Sequence, residues 1–558
     1  MQFIQIALFP FIQFNKSLSR GELIDDSVRQ VIAFVFVPKK GYKQYIIIQG
    51  GTSMFTNVLS GGIKGISGFL VRVETDISSG MPSFDLVGYL SSEVKEAEQR
   101  VRTALKNSGF DLPIARVTVN LSPGDIRKSG TGFDLPIALS ILASMGEIPA
   151  SALEDLFIVG GLMLSGNVVE TRGILPMLIE AKKQGFKRFL IPSANHVEGS
   201  MIEEIEVYGV DNLVQIVKFL RGEEKIEAYT SILKQELCKP ILYANDFEEI
   251  KGQVIARRGA EIAATGLHNI MMIGPPGAGK TMLAKAIPSI MPPLSEKECL
   301  EVTSIYSVRG NLDNLEGLIT RRPFVAAHHT STDISLVGGG SSIRPGAVSM
   351  AHCGILFLDE LPEFSRKALE ALRQPIEDRV VNITRNRDIC SFPADFMLVT
   401  SMNLCPCGYY PDRRKCKCTD SQREKYMSKI SGPLMDRIDI CITTERLSMK
   451  EMEKSTIVES SETIRKRVIE AQRIQAERFR NKEISFNSQM NNKDITQFCS
   501  LHKTEDDYLK EIAERYELSA RSYFRIIKIA RTIADLAQKE NIEICHLAEA
   551  VRFKCNID

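Results

Sequence analysis

Ile270-Met-Met-Ile273, then Gly274-Pro275-Pro276-Gly277-Ala278-Gly279-Lys280-Thr281, then Met282-Leu-Ala-Lys-Ala-Ile287 read in order as an apolar strand, a glycine-rich loop and a helix. The loop fits G-x-x-x-x-G-K-[ST], and the strand before it and helix after it are the setting a phosphate-binding loop needs. Glycine lets successive backbone N–H groups converge on phosphate oxygens at the positive end of a helix dipole. Lys280 is then placed to reach the β- and γ-phosphates, and the Thr281 hydroxyl to ligate Mg²⁺. The stretch therefore predicts an α/β fold that binds a nucleoside triphosphate.

Outward from that loop, Ile355-Leu-Phe-Leu358 reads as a second buried parallel strand, ending in Asp359-Glu360. Carboxylates at the C-terminal end of such a strand face the ligand crevice of an open α/β sheet. Asp359 is expected to hold Mg²⁺ and Glu360 to orient and deprotonate an attacking water. An Asp-Glu pair alone is weak, but about 80 residues after a phosphate loop it predicts hydrolysis.

The remaining bulk features bound the class. A chain of 558 residues is too long for one core, so three or four domains are expected. Hydrophobic residues make up 44% and charged residues 25%, and the net charge is +1. No global basic field advertises nucleic acid, although a ring pore or hairpin can be basic locally. The opening apolar stretch from Met1 to Ile12 is too short to span a bilayer and lacks a basic flank, so neither a membrane anchor nor a signal peptide is expected. Twelve cysteines without an export signal read as reduced thiols or metal ligands in a cytoplasmic protein.

Residues 1–53 show little periodic order. Gln49-Gly50-Gly51 could be encoded by a ribosome-binding sequence just before Met54, so translation is expected to start at Met54, a genuine N-terminal arm being the alternative. Residues 54–222 alternate strands and helices as an α+β domain, and 223–240 read as a charged linker. The nucleotide-binding α/β core is expected over 241–445. From 446–558 the pattern is almost wholly helical.

With these residues placed, the chain resembles the magnesium-chelatase-like AAA+ ATPases, in their competence-protein (ComM and YifB) branch. The resemblance runs from about Met54 to the end and rests on Gly259–Ala286, Arg344–Phe364, Met402–Gly408, Ser431–Ile440 and Leu518–Leu536. It implies a Lon-like α+β N-terminal domain, an AAA+ P-loop α/β core, a C-terminal helical lid, and ATP with Mg²⁺ as cofactors. It also implies a homo-hexameric ring acting on single-stranded and branched DNA. By position, Asn403 matches the family's first sensor, which helps orient the lytic water. Arg437, in Leu434-Met-Asp-Arg-Ile-Asp439, matches the arginine finger offered to a neighbour's γ-phosphate, and Arg521 matches the second sensor. A magnesium-chelatase motor subunit and a protein-remodelling factor are the competing readings; the N-terminal domain is taken to argue against the first.

Two segments could face a substrate. Gly338–Gly346 is glycine-rich and follows His328-His329-Thr330, whose histidines read as a packing or polar pair. Val380–Thr384 and Asp388–Phe392 read as a hairpin around Arg385-Asn386-Arg387, and Arg385 and Arg387 are the expected phosphate contacts on DNA. Four cysteines, Cys405, Cys407, Cys416 and Cys418, crowd into fourteen residues. They read as a structural Zn²⁺ site, with partly buried thiols or a redox pair as alternatives, because C-x-C is tighter than the usual ligand spacing.

A Lon-like domain raises the question of peptidase activity. The segment matching the family's nucleophile is Lys128-Ser-Gly-Thr-Gly132-Phe-Asp134, with Gly132 at the nucleophile position, and the dyad lysine position falls near Leu175. A nucleophile without a base in hydrogen-bond reach is not activated, so no proteolysis is expected.

Overall fold

Side chains along Ile270–Ile273 alternate between two different cores, which explains why the run carries no polar residue. Ile270 and Met272 join one apolar cluster and Met271 and Ile273 another. The same split divides Ile355 and Phe357 from Leu356 and Leu358. These strands sit inside a five-stranded parallel sheet ordered Phe324–Ala327, Ile355–Leu358, Met397–Met402, Ile270–Ile273, Ile440–Thr443. Met397–Met402 thus lies between the phosphate-loop strand and the acidic strand. Asn403 follows directly from the end of it.

This computed structural model describes residues 32–39, 42–49, 55–310, 317–340, 343–385, 388–446 and 458–554. Ile32–Lys39 and Tyr42–Gln49 pair as an antiparallel hairpin. A seven-stranded mixed sheet follows, ordered Glu206–Val210, Arg188–Pro192, Leu156–Ile158, Thr56–Lys64, Ser67–Ser78, Arg116–Ser122, Ser83–Val87. Helices Ala97–Asn107, Asp134–Ser144 and Leu213–Leu220 bury one face of it, and Ile174–Lys183 the other. Two helices, Ser92–Lys95 and Ala97–Asn107, follow one another with Glu96 between them.

Helix Glu296–Arg309 links the two sheets. A Ser295–Glu298 capping box starts it, and Gly310, in the left-handed region, ends it. Its Cys299 and Val302 enter the same apolar cluster as Ile174 and Leu178 of the N-terminal region. Ser307 donates to the Glu198 carboxylate and accepts from the Gly173 N–H.

The C-terminal helices Ser461–Arg478 and Ala520–Leu536 pack onto helix Val254–Gly266, and with Lys503–Arg515 and Ile544–Arg552 they share a core with the five-stranded sheet. Among the described residues ten cysteines are free. No described helix is long and apolar enough to cross a membrane.

Candidate functional site

The glycine loop closes a strand-to-helix step: Gly279 stands in the left-handed region (φ +82°) and caps helix Lys280–Ile290. A side chain at Gly274 would run into Thr444, because the loop leaves the sheet beside the end of the Ile440–Thr443 strand. Lys280 is 9% exposed, and its ammonium donates to the carbonyls of Gly274 (2.6 Å) and Pro275 (3.0 Å) and to Oδ1 of Asn403 (3.0 Å). Burial lowers the Lys280 pKa, opposed by the nearby charges of Asp359 and Glu360. The loop lysine and the expected sensor therefore act on one point, brought there by adjacent parallel strands.

Asp359 accepts from Thr281 Oγ1 at 3.0 Å and from the Ser401 hydroxyl. Hydroxyl and carboxylate are the hard oxygen donors Mg²⁺ takes, so Thr281 and Asp359 fit the ion as a pair. Ser401, one residue short of the end of its strand, was not singled out from sequence. Glu360 stands at φ +54°, a strained conformation for a residue with a side chain, and its carboxylate is half exposed. His329 Nδ1 lies 3.7 Å from it, and its ring is 4.1 Å from that of His328. The histidine pair is thus a polar pair as expected, but one of the two faces Glu360, the expected general base.

Gln253 donates to the carbonyls of Ala278 (3.3 Å) and Glu445 (2.5 Å). Val254 and Ile255 beside it are apolar and exposed.

The two arginines lie elsewhere. Asn269, immediately before the phosphate-loop strand, donates its side-chain amide to the Arg437 carbonyl (2.8 Å) and its backbone N–H to the Asp439 carboxylate (3.1 Å). Arg437 therefore sits at the N-terminal edge of the parallel sheet, while Lys280 follows its C-terminal edge. About 16 Å of extended chain separates Asn269 from Gly274. The guanidinium of Arg437 meets Glu377 at 2.5 Å, and Arg521 meets the same carboxylate at 3.3 Å. Arg437 first, then Arg521, hold Glu377 below the usual carboxylate range. Together with Arg379, Arg525 and Lys528 they line a cavity of about 480 Å³. The expected second sensor thus stands beside the expected finger and not beside Lys280. Glu377, their shared partner, carries no local signal in the sequence.

Val380–Arg385 and Asp388–Pro393 form the expected antiparallel hairpin, and Arg385 is exposed near its tip. Arg387 lies outside the described residues. Gly338–Gly339 pairs with Arg344–Pro345 in a second short ribbon.

The four cysteines converge: their sulfurs all lie within 4.8 Å of one another, with Cys405 to Cys407 at 3.3 Å, Cys405 to Cys416 at 3.7 Å and Cys407 to Cys416 at 3.6 Å. The turn that C-x-C spacing demands is supplied by Gly408 in the left-handed region (φ +80°).

In the N-terminal region, a side chain at Gly132 would strike Thr171 and Val159, and Leu175 is fully buried. The buried Lys128 donates to the Pro123 carbonyl and not to a hydroxyl. Neither of the two positions matched to the dyad, Gly132 and Leu175, carries a nucleophile or a base.

Three family models match the chain. "Magnesium chelatase, subunit ChlI" covers residues 246–452, "Subunit ChlI of Mg-chelatase" 73–195, and "Magnesium chelatase, subunit ChlI C-terminal" 458–554. Competence protein ComM of Haemophilus influenzae is 38% identical over 505 residues, which is 90% of this chain and 97% of that protein. The uncharacterized protein YifB of Escherichia coli is 37% identical over 493 residues, 88% of this chain and 95% of that one. An archaeal Lon protease from Methanocaldococcus jannaschii is 26% identical over 166 residues, 28% of this chain, so that similarity is partial.

Proposed function

This chain belongs to the magnesium-chelatase-like AAA+ family, among the relatives of ComM and YifB, and from that premise we propose that it is a Mg·ATP-hydrolysing motor of the cytoplasm. ATP with Mg²⁺ supplies an electrophilic γ-phosphoryl group whose charge the metal partly neutralises. Lys280 and the loop N–H groups hold the phosphates, while Thr281 and Asp359 hold the metal. Glu360 takes the proton of the attacking water, and Asn403 orients that water beside Lys280. Val254 and Ile255 offer an apolar platform next to the loop for the base.

One observation carries the assembly part of this reading: Arg437 and Arg521 share Glu377 on the sheet edge opposite Lys280. A chain cannot bring those guanidiniums to its own phosphate loop without unmaking its sheet. A neighbour in a head-to-tail ring can receive them, and a closed homo-hexamer is the arrangement we propose.

For substrate we propose DNA, single-stranded and branched, with the motor acting as a helicase that promotes branch migration during natural transformation. Support comes from the ComM relative, which is named for competence, and from the exposed Arg385 on a projecting hairpin. The chelatase-type reading, action on a protein partner, keeps one specific support. A family model bearing the chelatase subunit's description also matches residues 73–195, so the N-terminal region does not separate the two as expected from sequence.

The test is ATP-dependent branch migration on labelled three-strand and four-way junctions, comparing wild type with Lys280→Ala. Strand exchange in wild type alone is expected. ATP hydrolysis with both junctions untouched would return the substrate to a protein partner.

A further inference from the structure

We infer that Cys405, Cys407, Cys416 and Cys418 form a Zn²⁺ site whose purpose is to pin a loop against the nucleotide site; the second half rests on the nucleotide reading above. In a tetrahedral thiolate site with Zn–S near 2.3 Å, sulfurs stand about 3.8 Å apart. Three pairs here, at 3.3, 3.7 and 3.6 Å, lie at or a little inside that edge length, and all four sulfurs fall within 4.8 Å of one another. Two C-x-C pairs reach it by folding the intervening segment into consecutive turns, Asp412 N–H to Tyr409 and Cys416 N–H to Asp412. The Tyr410 N–H donates to Cys405 Sγ at 3.4 Å, the outer-shell bond that supports a metal-bound thiolate. The Arg423 guanidinium stacks 3.5 Å over the Tyr410 ring, tying the loop to helix Asp420–Met427.

What the pin holds is given by its neighbours. Cys405 is fully buried and stands two residues beyond Asn403. A side chain at Gly408 would come within 2.7 Å of Pro276 in the phosphate loop and 3.6 Å of Asn403 Nδ2. The loop therefore lies directly on both the sensor and the phosphate loop. Fourteen residues with no regular secondary structure of their own would otherwise have to hold that contact by turns alone.

Full-length protein purified in reducing buffer without chelator is expected to carry about one zinc per chain by elemental analysis. Cys407→Ser and Cys416→Ser should each lose it, and Cys238→Ser should keep it. Cobalt exchanged into wild type should give the charge-transfer and visible bands of a tetrahedral tetrathiolate, a readout that does not depend on the serine variants folding. Wild type that takes up neither metal, or a disulfide among these four cysteines by mass spectrometry, overturns the site. Stripping the metal from wild type should lower ATP turnover roughly ten-fold while labelled-nucleotide binding persists, and zinc should restore it. Equal turnover with and without zinc overturns the coupling. Zinc-loaded protein that binds no nucleotide overturns the nucleotide reading and leaves the metal site standing.

Discussion

Glu360 occupies a backbone conformation that non-glycine residues avoid, and it does so at the end of the strand that carries Asp359. Its carboxylate is half exposed beside His329, while the neighbouring Asp359 is occupied by Thr281 and Ser401. The two acids are thereby given different work. Glu360→Gln is expected to cut ATP turnover by roughly 10²–10⁴-fold with nucleotide binding retained, measured by steady-state hydrolysis beside equilibrium binding. Glu377 makes the contrasting case. Its pKa is lowered by Arg437 and Arg521, so its contribution to stability is complete above the ordinary carboxylate value and is lost as the pH falls through the lowered one. Destabilisation by Glu377→Gln should accordingly be present at neutral pH and shrink as the pH falls below the ordinary carboxylate range, as read by denaturant unfolding at each pH. The placement of Lys280 and Thr281 at a strand–loop–helix step, and of Asp359 at the end of a buried strand, was legible in the sequence because local pattern fixes those settings. Glu377 was not, since a glutamate on a short helix reads the same wherever it lands, and its partners are 60 and 144 residues away.

Strands of the core were readable because burial on both faces leaves apolar runs such as Ile270–Ile273 and Ile355–Leu358 that match no amphipathic helix. The hairpin at Val380–Pro393 was readable from its alternation and polar tip. Helix Glu296–Arg309 was not identified as a bridge, because its buried residues face two different neighbours and leave no single apolar stripe. The cysteine loop was half legible: four thiols in fourteen residues are conspicuous, but the turn that gathers them depends on the left-handed Gly408. Gly408→Ala should cost about 1 kcal/mol from its backbone conformation alone. The methyl group also enters the Pro276 contact, so turnover is expected to fall further than stability does, a split visible by comparing thermal unfolding with steady-state rates.

At the scale of the whole molecule, each chain carries a nucleotide loop on one edge of its sheet and two arginines on the other. Mixing two inactive variants separates this from any arrangement within one chain. Lys280→Ala and Arg437→Ala should each be inactive alone. A 1:1 mixture should recover hydrolysis at about a quarter of its interfaces, where an intact loop meets an intact arginine. No recovery after confirmed co-assembly would mean that each chain uses its own arginine, and would overturn the proposed action on a neighbour.

The opposed edges also separate possession from use. On the proposed ring, a solitary chain is expected to keep its nucleotide uncleaved, since the arginines it carries reach only a neighbour's loop. Dilution would then act as an off-switch: hydrolysis per chain would climb steeply with protein concentration, while nucleotide occupancy stays flat. Whatever gathers the chains, whether a substrate threaded through them or simple abundance, would become the signal that starts hydrolysis.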